Sequence, residues 1–325
     1  MQKYDVAIIG AGISGIVAAQ KLKQAGNNVL LLEKEPEVGG RLATSVTAEG
    51  TADFGAQFFT VRTKELQREV QGWLAKGWVR RWFGEDYPRY TSVDGMGSFA
   101  SRLSEGLNPV TSTTITTIED QDNDFVLYET DGKSYKSKRI LFTMPAPQTV
   151  NLMDNSSVNL EASVYKTLTN LEFQPTYVGV FQFDQPAPIA ENGHIDKQLP
   201  DDVERIVDHQ KKGISNTSLV SVYMTADWSA SHESEDTVLE VMKKKTSPYL
   251  DFQNLVSERL KTWSCAQAAT THANSFLNID PQGKWLVAGD AFLRPDDQAG
   301  RTRFESAFLS GQDAAAHILS NIYYH

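Results

Sequence analysis

Cysteine is almost missing: Cys265 stands alone among 325 residues. One thiol cannot close a disulfide within the chain, which excludes a disulfide-stapled scaffold and fits a reducing compartment. Long apolar runs are missing too, since none approaches the roughly 18 residues a membrane helix needs. The apolar stretch at 6–19 follows Asp5, carries three glycines and leads to no cleavage site, so it is read neither as a signal peptide nor as a span. The expectation is a cytoplasmic protein with no membrane partner. Basic residues are in deficit, 31 against 41 acidic ones, for a formal charge of −10. Such a chain is a poor counter-ion for nucleic acid, and its longest basic run is Lys243-Lys244-Lys245. None of the six histidines stands in an H-x-x-x-H spacing, so no metal is expected. Internal repeats and Pro-, Gly- or Ser-rich linkers are lacking.

What is present is an ordinary globular composition, 40% hydrophobic and 22% charged, long enough for two domains. "YDVAII" (4–9) reads as a buried strand, 13–25 as a helix ending at Gly26, and "NVLLLEK" (28–34) as a second strand, together a βαβ unit. Helical periodicity is expected within 61–93. A second helix is expected within 94–107, with Ser98 as N-cap. Residues 110–143 alternate as a small antiparallel meander with a turn at Asp131-Gly132. Residues 151–262 mix strands with a helix near 235–247. The last helix, from about 302 to 322, lines up Phe304, Phe308, Ala315, Ile318 and Ile322.

Between the first strand and helix, Gly10, Gly12 and Gly15 form G-x-G-x-x-G. Gly10 permits a tight turn, Gly12 lets backbone approach a pyrophosphate, and Gly15 lets helix and strand pack closely. The N–H groups around Ile13 and Ser14 then face the anion. Glu33, eighteen positions after Gly15 and followed by Lys34, has the place of a ribose ligand. A carboxylate there repels a 2′-phosphate, so NADP is disfavoured while NAD and FAD remain. The choice between them turns on "EKEPEVGGR". Gly39 and Gly40 bring a second stretch of backbone towards an extended cofactor, and Arg41 supplies a fork of donors. A nicotinamide dehydrogenase holds its second half with another βαβ unit and has no need of this element. "ADFGAQFF" (52–59) offers Gly55 and Ala56 as small residues against a flat ring, with Gln57 and Phe58 beside them. Asp290 in "VAGDAF" can accept from ribityl hydroxyls, with a following helix aimed at the flavin; an aspartate there serves equally as a turn residue. The cofactor expected is FAD.

These motifs, with "TADFGAQFFT", "DGMGS", "LFTMPAP" and "RFESAFLSGQDAA", resemble the flavin-containing amine oxidase superfamily, and within it the renalase branch. The resemblance implies an α/β fold in which a Rossmann-type (GR2-like) FAD domain (1–60, 94–150 and 264–325) is interleaved with an α+β substrate domain (61–93 and 151–263). It also implies FAD contacts at Ile115, Arg303 and Phe304. Members with covalent flavin carry a cysteine close to the C-terminus, whereas Cys265 precedes the "GDA" strand, so noncovalent FAD is expected.

A flavin accepts hydride at N5 from a carbon next to nitrogen, which asks for a positioning pocket more than a general base. Gln57, Tyr223, Trp228 and His232 are the candidate substrate contacts. His232 also reads as a surface-loop residue ahead of a helix, and Tyr223 as core. The function expected is an oxidase acting on a small amine-like or dihydronicotinamide donor, with O2 as acceptor. The alternatives are a carotenoid-type desaturase or isomerase, which the mean hydropathy of −0.37 disfavours, and a non-catalytic FAD-binding protein.

Overall fold

The computed structural model describes residues 2–121, 124–156, 158, 160–232 and 235–323. Four parallel strands form the centre of the dinucleotide domain. Val6–Ile9 runs between Val29–Leu32 and Ile140–Phe142, and Trp285–Val287 lies beyond the latter. Their residues are almost all buried, as strands covered on both faces require. On one face pack helices Ile13–Gln24 and Phe304–Tyr323, which cross so closely that a Cβ at Gly311 would lie 2.2 Å from the Ser14 carbonyl oxygen. The other face is covered by strands Ile115–Gln121 and Asp124–Glu129 and by helices Ala146–Asp154 and Ala162–Thr169.

A second, antiparallel sheet carries the other lobe. Its strand order is His194–Ile195, Val203–Asp208, Ser218–Met224, Phe173–Phe183, Leu255–Ala268. Alternation along Ser218–Met224 divides the work of its two faces. Val220, Val222 and Met224 enter the lobe's own core with Phe181, Trp228 and Met242. Leu219, Ser221 and Tyr223 face the dinucleotide domain, against Ala52, Asp53 and Gln57.

The βαβ unit, the meander with its Gly132 turn (φ +81°) and the helix near 235–247, observed as Val238–Thr246, follow the expectation. The last helix packs Phe304, Phe308, Ala315 and Ile318 into one core; the side chain of Ile322 lies outside the described residues. Three readings need correction. Residues 61–93 are a helix, Lys64–Ala75, followed by a hairpin of Val79–Phe83 with Arg89–Ser92. Leu66, Val70 and Trp73 enter the dinucleotide core, so this segment packs there, and its hairpin reaches the other lobe through Arg80, Trp82 and Phe83. Leu152, Met153 and Leu168 likewise pack on the dinucleotide sheet, which leaves the antiparallel lobe to begin near Phe173. Ser98 is no cap. The helix Met96–Leu103 starts after Gly95, because Asp53 and Thr44, from a distant strand pair, accept from the N–H groups of Met96 and Gly97.

Candidate functional site

The cradle begins with three glycines whose reasons differ. Gly10 has φ +108°, and a Cβ on Gly15 would lie 2.0 Å from the Gly10 carbonyl oxygen, so both are required by the protein itself. Around a Cβ on Gly12 there is no atom within 4 Å. That open side borders the N-terminus of helix Ile13–Gln24, which has no side-chain cap and no acid in its first turn. Its N–H groups are left for an anion. The buried Ser14 hydroxyl there lacks a hydrogen-bond partner. Glu33 is buried and accepts from the N–H of Ala11 (2.8 Å) and of Glu35 (3.0 Å), one on each oxygen. Each oxygen retains capacity for a ribose hydroxyl. Lys34 points to solvent. Alongside, residues 110–113 bond to the backbone of Leu31, Glu33 and Glu35, and the chain then enters Ile115, whose side chain belongs to the core.

The second glycine pair backs onto the first. Gly39 donates to the Ala11 carbonyl (2.8 Å), and a Cβ on Gly40 would be 3.6 Å from Gly12 Cα. Arg41 reaches Asp290 with two parallel bonds of 2.9 and 2.5 Å and also donates to the Ala266 carbonyl at 3.2 Å. Burial opposes its charge, but the Asp290 carboxylate outweighs this and raises its pKa. The helix that follows Asp290 starts at Phe304, close to the expected 302. Its first turn returns, Ser306 donating to the Asp290 carbonyl at 3.0 Å. Arg303 is engaged by Asp297 and Glu305, and Phe304 stacks on Phe59 at 4.4 Å. Gly55 has a different reason from the one expected: a Cβ would lie 2.1 Å from the Arg41 carbonyl oxygen, which accepts from the N–H of Ala56. The residues present thus suit an extended dinucleotide lying over Gly12, between Glu33 and the Arg41–Asp290 pair.

Beside this cradle stands a wall that joins the two lobes. Lys212, with no exposed surface, donates to Asp53 Oδ2 (2.7 Å), the Gln57 carbonyl (2.8 Å) and Gln57 Oε1 (2.8 Å). All three ammonium protons are used. Burial lowers its pKa and Asp53 opposes that. Because Gln57 Oε1 faces the ammonium, its amide donates to the Tyr223 hydroxyl and the Asp53 carbonyl. Tyr223 can then give its own proton to the Gly55 carbonyl at 2.9 Å. Burial raises the Tyr223 pKa. Trp228 and His232 do not join this wall. They stack on each other at 3.8 Å on the far face of the sheet, where His232 bonds the Trp228 carbonyl.

Sequence reasoning missed Asp53, Lys212, Arg89, Arg205 and His194. "DHQKKG" carries no sign that its second lysine is buried, and His194 sits among Phe58, Trp82 and Phe83 through tertiary packing alone. Cys265 was judged by order along the chain, yet strand Leu255–Ala268 carries it close enough to Arg41 and Asp290 to feel their charges. Burial raises its thiol pKa. Among the described residues no group of three or more His, Cys, Asp and Glu could hold a metal ion, and no helix is long and apolar enough to cross a membrane.

Residues 8–72 match the NAD(P)-binding Rossmann-like domain, and residues 71–319 the flavin containing amine oxidoreductase family. A provisionally assigned flavin-containing monoamine oxidase, AofH, of Mycobacterium tuberculosis is 43% identical over 54 residues, 17% of this chain and only 12% of that protein. Two solved structures share the fold across 98% of this chain and 99% of theirs. They are a provisionally assigned protoporphyrinogen oxidase from Exiguobacterium sp. 255-15 (TM-score 0.71, 13% identity) and a putrescine oxidase redesigned in cofactor binding (TM-score 0.65, 12% identity). With the second match spanning well over half of its length, the chain belongs to the flavin containing amine oxidoreductase family.

Proposed function

We propose that the protein is a renalase-like oxidase that holds FAD noncovalently, takes hydride from a small amine-like or dihydronicotinamide donor, and passes the electrons to O2. One observation carries the choice of donor: among the described residues, Lys212, Gln57 and Tyr223 of the wall beside the cradle offer no free general base. Lys212 is saturated, Gln57 is neutral, and the Tyr223 phenol is held protonated by burial. A donor must therefore surrender hydride without losing a proton to the protein, as a neutral amine or a dihydropyridine can.

Bound FAD supplies the two-electron acceptor. Gly10, Gly12 and the first turn of Ile13–Gln24 bind its pyrophosphate, and Glu33 binds a ribose. Gly40 and Arg41 line its length, and Arg41 also orients Asp290 towards the ribityl chain. Gln57, buried with its amide orientation set by Lys212, holds the wall rigid behind the site, while the lobe's sheet excludes water. Cys265, the only cysteine, precedes the strand Trp285–Val287 and does not lie near the C-terminus, which supports a flavin released intact by acid or detergent.

The test is anaerobic mixing of the yellow holoprotein with dihydronicotinamides and with primary amines. Bleaching of the flavin band by a dihydronicotinamide, with peroxide formed on readmitting air, is expected. A flavin that none of these donors reduces would overturn the proposal.

A further inference from the structure

We propose that the wall beside Gln57 contains an acid-binding subsite, built by Arg89 and Arg205 around Phe58, that selects donors whose planar ring carries a phosphate or carboxylate. This rests on the reading that Gln57 and Tyr223 face the flavin. Arg205 lies opposite Tyr223 in the strand ladder, with its guanidinium carbon 5.7 Å from the Tyr223 ring centre and 5.8 Å from that of Phe58. Arg89, from the hairpin of the other lobe, stands 6.0 Å from Phe58 and 5.4 Å from Phe83. Two guanidinium groups from separate elements thus converge on one ring, in the residue directly after Gln57.

Arg205, Lys212 and Arg89 all act on His194, opposed by Asp196. Lys212 is taken by Asp53, and Arg205 pairs only with its exposed neighbour Glu204. Arg89 forms no ion pair among the described residues. Among the described residues, the Nε–H donors of both arginines are buried without a hydrogen-bond partner, as is Nε2 of His194, which donates or accepts according to its tautomer. His194 itself is only 7% exposed and stacks on Phe83 at 4.8 Å. Unpartnered buried donors are costly, and these lie around a common set of rings. An acid group satisfies guanidinium forks, while a ring stacks on the aromatic faces. An ammonium group meets the like charge of two guanidinium groups.

The holoprotein, its FAD content and melting temperature checked in every variant, is titrated with adenosine diphosphate, with phthalate and with benzylamine, following flavin absorption and tryptophan emission. Saturable binding of at least one acid is expected, weakened at least tenfold by R89Q or R205Q and by raising salt in the unaltered protein. Binding of the diphosphate alone marks a phosphate subsite, and of phthalate alone a carboxylate one. Benzylamine binding tighter than both acids, or acid binding indifferent to salt and to both variants, would refute the subsite. Arg-dependent acid binding in a protein whose flavin no donor reduces leaves the subsite standing and removes the oxidase reading. Dihydronicotinamides that reduce both variants as readily as the unaltered protein, whatever their charge, do the reverse.

Discussion

At the scale of single residues, the unusual feature is an ammonium group with no contact with water. Lys212 and Asp53 are both fully buried, and each is tolerable only because the other is there. Removing one partner strands a charge, so Lys212→Met is expected to lower stability by about 3–5 kcal/mol. Measured by urea unfolding, the Lys212→Met/Asp53→Asn double variant should lose less than the two single losses added together. His194 gives a pH signature. Burial lowers its pKa from 6.5 to about 4. Between those values the unfolded chain binds the proton and the folded one does not, so this histidine's contribution to stability is present above pH 6.5 and is lost as pH falls towards 4. In His194→Gln the urea midpoint should therefore fall less between pH 7 and pH 5 than in the unaltered protein. An equal fall in both would show that His194 titrates normally.

Among elements, glycines separate what the fold needs from what a ligand needs. Gly15 and Gly311 each face a carbonyl oxygen at a distance no Cβ tolerates, and Gly12 faces open space. Gly311→Ala should lower the melting temperature, by an overpacking cost of about 1–3 kcal/mol or more, because it pushes apart the two helices behind the central sheet. Gly12→Ala should leave the melting temperature of the FAD-free protein nearly unchanged and yet purify with little flavin, read from the ratio of visible to ultraviolet absorbance. A colourless protein that has also lost its stability would place Gly12 with the other two.

For the whole molecule, the two lobes are assembled from segments that interleave along the chain. Strand Trp285–Val287 returns to the first sheet after the entire antiparallel lobe has been made, and Asp53, Gln57 and Lys212 lock that lobe to the cradle. Release of flavin and loss of helical circular dichroism should therefore occur at one temperature, whereas two separated transitions would mean that the lobes unfold independently. Much of this architecture was legible beforehand. The βαβ unit, the three cradle glycines, Glu33 and the Gly39-Gly40-Arg41 element rest on local spacing. Local spacing misplaced the start of helix Met96–Leu103, because acceptors from Thr44 and Asp53 set it from a distance.

The amino-acid sequence alone determined an amino-terminal βαβ unit of the dinucleotide-binding type, since turn geometry, close approach and a carboxylate at the end of the second strand are encoded within some thirty consecutive residues. Tertiary structure alone decided which face of the antiparallel lobe each side chain takes. Tyr223 and Trp228 lie five residues apart, yet a pleated sheet and the turn after it send one to the cradle and the other to the opposite core. The pairing of Lys212 with Asp53, 159 positions away, exists only once both lobes have closed over it.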